Sequence, residues 1–208
     1  MIGHAALWAD RRGVALIEFA LGLPLMLLLG LGGIELSNLV LAHLTASRVA
    51  ALTADNASRI RDSIDETDVL DLMKAAQLSS GSLDLQHRGR LILSALQPND
   101  KGDGQWIRWQ RCYGSAPVKP RYGQEDAGKV GSSLQGMGPP SRQVQADTGT
   151  SVMFVEIEIE IDYGSIVPPS WASTGTVRYE SAFNVRKRPN AYLTNTSKLP
   201  ASAILRCN

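Results

Sequence analysis

The sequence predicts an α+β fold built from one long N-terminal helix, a smaller helix and a mainly antiparallel four-stranded sheet. Three observations lead there. A dense Leu/Ala/Gly run fills positions 14 to 44. A short capped helical pattern follows near residue 65. Four stretches of strand character come after it, and one of them, VMFVEIEIEIDY, alternates apolar and acidic residues. The chain has 208 residues and a net charge of +1. Removing the apolar run leaves about 150 residues, enough for one ordinary core. The near-neutral balance gives no electrostatic footprint for nucleic acid.

The first helix is the clearest element. Val14 to Ile34 is long enough to span a bilayer core, which takes about 20 apolar residues, and Phe19 to Ile34 carries no charge. Arg11 and Arg12 precede it, which keeps that end cytoplasmic and puts the C-terminal domain outside. After Glu35 the pattern turns amphipathic, with Leu36, Leu39, Val40 and Leu44 at helical spacing, so the helix is expected to run to about Asn56. Pro24 is expected to kink or locally melt it. Glycines 22, 30, 32 and 33 offer close helix approach, although glycine is also common in membrane helices.

The second helix is DETDVLDLMKAAQLSSG, with Thr67 as N-cap, Asp68 and Asp71 in the first turn and Gly81 after the end. The strands are Gly89 to Leu96, Gln105 to Tyr113, Val152 to Tyr163 and Thr176 to Arg186. In the third, Met153, Val155, Ile157, Ile159 and Ile161 face one way, against Glu156, Glu158, Glu160 and Asp162. That alternation predicts one dry and one wet face. Gly114 to Gly149 reads as a long loop, functional or partly disordered.

Three readings of the N-terminal segment compete. A cleaved secretory signal would need a shorter apolar run and a small-x-small site. A plain signal anchor explains the arginines and the hydrophobicity but not Glu18, since a carboxylate inside a membrane helix costs about 2.5–3.5 kcal/mol at the bilayer centre. The third uses the details. RRG followed by VALIEF resembles the prepilin signature: a basic leader ending in Gly13, four apolar residues, then Glu18 and Phe19. RRGVALIEFALGLPLMLLLGLGGIEL is similar to the amino end of the TadE/TadF-like family, minor pseudopilins of the Flp (tight adherence) type IVb pilus, and Pro24 and Glu35 fit its pattern. WIRWQRCYG, from Trp106 to Gly114, resembles the soluble half of that family.

The resemblance implies a pilin-like fold divided into a prepilin leader over 1–13, a transmembrane and amphipathic helix over 14–56 and an extracytoplasmic domain over 57–208. It implies cleavage after Gly13 by a prepilin peptidase, leaving Val14 as the new amino terminus. Glu18 would then meet the Val14 ammonium of a neighbouring subunit, or that of its own chain one turn away. The implied partners are other pilins or pseudopilins, the peptidase and the inner-membrane pilus assembly platform. The implied setting is a bacterial inner membrane, with the domain periplasmic, and a role in adhesion and biofilm. The competing function is a single-pass anchored binding or adhesin module that is neither processed nor assembled.

Catalytic patterns are missing from the sequence. His4, His43 and His87 have no metal or triad spacing, and there is no H-E-x-x-H, P-loop or G-x-S-x-G, so the expectation is a non-enzyme with no cofactor and no metal. The acidic row of the third strand is too straight to wrap one cation and reads as a solvated face. Arg178 and Arg186 sit at the right parity for cross-strand ion pairs. Trp106, Arg108 and Gln110 are expected on one face of the second strand, and Ile107 and Trp109 on the other. That mixture either binds a ligand or supplies one core and one interface Trp. Cys112 and Cys207 have no zinc spacing; outside the cytoplasm they favour a disulfide, and inside it two buried thiols.

Overall fold

Helix α1, Val14–Arg59, is 46 residues long, or about 69 Å. The structure, a computed structural model, describes residues 13–162, 174–187 and 191–207. His4, Arg11, Arg12 and Tyr163 lie outside the described residues. Pro24 sits inside α1, yet the helix is continuous through it. Proline removes one donor from the ladder, and the Leu-rich turns on either side propagate past the gap. The helix ends three residues later than the sequence pattern suggested, at Arg59, and the following Ile60 takes a non-helical backbone.

The second half of α1 is a packing surface made of small residues. Ala42, Ala46, Val49, Ala50, Ala54 and Ala57 are buried on one stripe. Their short side chains let the helix axis lie close to a sheet. Strand β1, Ile64–Asp65, leads into helix α2, Glu66–Ser80, and then the single turn α3, Leu85–Arg88. Strands β2 (Gly89–Pro98), β3 (Gln105–Tyr113), β4 (Val152–Asp162) and β5 (Thr174–Asn184) form an antiparallel sheet in the order β3-β2-β4-β5. A small parallel pair joins β1 to β6, Leu193–Thr194.

The N-cap of α2 is Asp65, two residues before the expected Thr67. Its side chain accepts the backbone N–H of Thr67, and Asp68 returns a bond to the Asp65 N–H, completing a capping box. Asp wins because its carboxylate reaches the helix amides from an extended residue, while Thr67 is already helical. At the other end Gly81 takes φ +55, a conformation in which a Cβ is strained.

The sheet's inner face packs on α1 and α2. Leu91, Leu93 and Ala95 of β2 and Met153, Val155, Ile157 and Ile159 of β4 are fully buried there, each large side chain worth about 1.5–3 kcal/mol. The outer face departs from the expected wet surface. The long segment between β3 and β4 folds over its upper half, where Leu96, Ile107, Met137, Ala146, Val152 and Phe154 form a second apolar cluster. Tyr122 meets Phe154 edge-on. Glu156 is therefore buried, and the alternation keeps its wet meaning only lower down, at Glu160. The segment that read as a loop is an irregular but packed layer.

A bulge corrects the second strand. Ala95 pairs with Trp109 and Leu96 with Ile107, leaving Arg108 as the extra residue. The bulge reverses the parity, so Trp109 enters the main core while Ile107 enters the outer cluster. The two were expected on one face.

Candidate functional site

The helix start carries the residues singled out from the sequence. Gly13 precedes the first turn, and its carbonyl accepts the Ile17 N–H at 3.1 Å. Val14 opens the helix. Glu18 follows one turn later and is exposed, as is Phe19 at 65%. Among the described residues no hydrogen bond or ion pair reaches Glu18. The apolar side chains around it, Leu16, Ile17, Leu21, Leu25 and Leu28, are equally uncovered. This stretch is long and apolar enough to cross a membrane, and none of its best window is buried by the rest of the protein. It fits a single-pass membrane anchor. A lone carboxylate on such a surface is costly in lipid and gains from a cationic partner brought by another group.

Other candidates are occupied by the protein itself. The Arg108 guanidinium lies 3.6 Å from the Tyr192 ring centroid and 5.4 Å from that of Trp106, and it donates to Gln97. Lys129 lies over Trp106 as well. Trp106 is nearly buried and offers no free stacking platform. Arg178 pairs with Glu158 across β4 and β5, as the parity suggested, whereas Arg186 pairs with Asp55 of α1. His43 meets Tyr179 through Nδ1 at 3.2 Å, a packing contact, and His87 bonds Asp84. No group of three metal-ligating side chains comes together among the described residues.

Cys112 and Cys207 form a disulfide. It holds the C-terminal segment along β3, where the Cys112 N–H also donates to the Leu205 carbonyl.

Three polar clusters escaped the sequence reading. Arg111 is buried in the β3 layer and bonds Glu66 of α2 and Glu125 of the covering segment. Burial works against its charge, but the two carboxylates raise its pKa above the ordinary value. Asp65 receives Thr67, Thr194 and Thr196 at once. Burial alone would raise its carboxyl, yet the bonds from Thr196 and Thr67 hold the pKa well below the usual range. Glu156 lies opposite Glu180, and burial followed by the Glu180 charge pushes its pKa up to about 7. The D-x-x-D spacing of Asp65 and Asp68 is a local signal for the first half of the Asp65 site, which the sequence pattern assigned to Thr67 instead; the other partners come from distant segments that no local pattern reveals.

Beside the open edge of β5 lies a groove of about 860 Å³, lined by Ser47, Arg121, Tyr122, Arg142, Tyr179 and Glu180 among others.

Fold and helix together define an α+β protein with one N-terminal helix that fits a single-pass membrane anchor and exposes a carboxylate near its start. Residues 13–55 match the family model described as TadE-like protein, so the similarity begins at Gly13 and covers nearly all of α1. That likeness points to a component associated with the Tad/Flp pilus, whose family is one of structural pilus components. Comparison with curated proteins and with solved structures gives no match.

Proposed function

We propose that the chain is a minor pilin or pseudopilin of a Tad/Flp-type pilus, matured by a prepilin peptidase that cuts after Gly13. Arg11 and Arg12 mark the cytoplasmic side, and the domain beyond residue 56 is periplasmic, where its disulfide persists. Glu18 carries the reading. It is exposed, lacks a partner among the described residues and stands one turn from the new amine at Val14. In an assembly that amine, from a neighbouring subunit, neutralises the carboxylate and fixes register. Partners are other pilins, the peptidase and the inner-membrane assembly platform, and the product serves adhesion. The family match beginning at residue 13 supports the same boundary.

The groove beside β5 favours a second reading, an unprocessed anchored binding module. Intact mass and N-terminal sequencing of membrane-extracted protein separate the two. A pseudopilin starts at Val14, and a plain anchor keeps residues 1 to 13.

A further inference from the structure

Helix α1 and strand β5 run side by side in the same direction. His43 meets Tyr179, and fifteen residues further along the helix the Ser58 carbonyl accepts the Arg186 N–H, with Asp55 pairing to the same arginine. From His43 to Ser58 the helix rises about 22 Å. From Tyr179 to Arg186 the strand advances about 23 Å. The two advances agree, so levels along the strand convert directly into levels along the helix.

Continuing toward the membrane, Thr176 lies about 10 Å below Tyr179, level with about Leu36. Glu160 is its partner in β4. Gly89 pairs with Ile159, which puts Arg88 at the same height. The helix supports this alignment independently. Glu35 and Leu39 are shielded while Leu36, Val40 and Leu41 are exposed, and they continue the stripe of Ala42 and Ala46 that faces the sheet. The sheet's lower end therefore reaches the last turn of the apolar span. There the uncovered sides of α1 still show Leu36 at 62%, Val40 at 48% and Leu44 at 61% exposure.

We propose that the lower part of the sheet around Glu160 and Thr176, two residues short of the ends of β4 and β5, is seated with the neighbouring Arg88 in the lipid headgroup layer, at the point where α1 leaves the bilayer. The proposal rests on the reading of α1 as a membrane span. A hydrocarbon core of about 30 Å with headgroups bringing the total to about 40–45 Å leaves a layer several ångströms deep on each side. A span over Val14 to Ile34 puts Leu36 and its neighbours inside that layer. Arg88 is exposed, and its guanidinium, unlike its backbone N–H, which donates to the Asp84 carbonyl, has no hydrogen-bond or ion-pair partner among the described residues, so its cation is free for lipid phosphates, with its stem against the acyl boundary. The rigid contact of α1 with β4 and β5 fixes this seating, so the domain does not swing free on a tether.

The test uses the full chain in phospholipid vesicles. The native cysteines are tied in a disulfide, so single fluorescent labels go to T176C, E160C, K101C and L23C. Lys101, in the turn between β2 and β3, lies at the far end of the sheet, more than about 27 Å from the level of Thr176. Headgroup-labelled quencher lipids should quench the Thr176 and Glu160 probes several-fold more strongly than the Lys101 probe. Equal quenching at all three, with Leu23 still quenched by chain-labelled lipid, overturns the seating and leaves the span intact. An unquenched Leu23 probe defeats the span and the seating with it.

Discussion

Glu156 of β4 and Glu180 of β5 stand directly opposite one another on the outer face of the sheet. Tyr122 donates its hydroxyl to Glu180, while one Glu156 oxygen is buried without a partner. Arg121 and Arg178 offset the two charges incompletely, and the Glu156 carboxyl titrates near 7. Burial and the facing Glu180 charge therefore favour the protonated form of Glu156, in which the covering segment packs on the sheet without a second buried charge.

Stability should therefore fall as pH rises from about 5 to 8. The folded pKa of Glu156 is raised, so its contribution is complete below the ordinary carboxylate value of 4.5 and is lost as pH passes about 7. The loss should be on the order of 2 kcal/mol. Thermal unfolding of the full chain in detergent at several pH values measures it. Glu156→Gln should flatten that slope and be more stable than the natural chain at pH 8. An unchanged slope would mean that Glu156 ionises normally.

Asp65 acts with the opposite sign. Its folded pKa is depressed, so its contribution is present above the ordinary value of 3.8 and disappears as pH falls below it. Asp65→Ala removes the cap of α2 and strands the donors of Thr194 and Thr196. The expected cost is about 2–4 kcal/mol. Asp65→Asn should keep part of the capping while losing the acid-side dependence, which the same pH series would show.

These two carboxylates mark what the sequence could reveal. Elements held by local chemistry were legible: α1 from its apolar run, β4 from its alternation, the end of α2 from Gly81. Misreadings came where a distant segment decides the environment. Glu156 looked solvated because nothing local says that residues 114–149 fold back over Phe154. Ile107 and Trp109 looked like neighbours on one face because a single unpaired residue, Arg108, reverses parity. The proposed prepilin motif is a local pattern, so Gly13, Val14, Glu18 and Phe19 are singled out by sequence alone, whereas the Arg111–Glu66 pair joins residues 45 apart and has no local signal.

The disulfide gives a compartment test. Protein recovered from the membrane under thiol blocking should show Cys112 and Cys207 joined and no alkylated cysteine. Reduction should lower stability by about 2–4 kcal/mol, since the bond closes a long loop. It should also loosen the C-terminal segment from β3, seen as faster exchange of the Cys112 amide that bonds Leu205. Two freely alkylated thiols would place the domain in a reducing compartment.

On the proposed maturation, processing should depend on Gly13, whose missing side chain would let an extended backbone enter a tight peptidase cleft. Gly13→Val should leave a full-length, membrane-inserted precursor, read by intact mass. Normal cleavage to Val14 in that variant would sink the prepilin reading.

Glu18 separates assembly from insertion. Glu18→Ala should still insert, and insert somewhat better, because a charge has left the span. On the proposed processing at Gly13, cleavage should survive. Co-assembly should fail, because the Val14 ammonium of a neighbouring subunit then lacks its counter-charge. Stranding one member of a buried pair costs about 3–5 kcal/mol. Glu18→Asp should restore only part of the loss, its shorter arm falling short of the amine. The fold of the domain should be untouched, because Glu18 is exposed and far along α1 from the buried stripe that begins at Ala42. The measurement is crosslinking to other pilins with a count of surface fibres, at matched protein levels. Normal crosslinks and normal fibres in Glu18→Ala would make Glu18 a bystander and favour the unprocessed anchor.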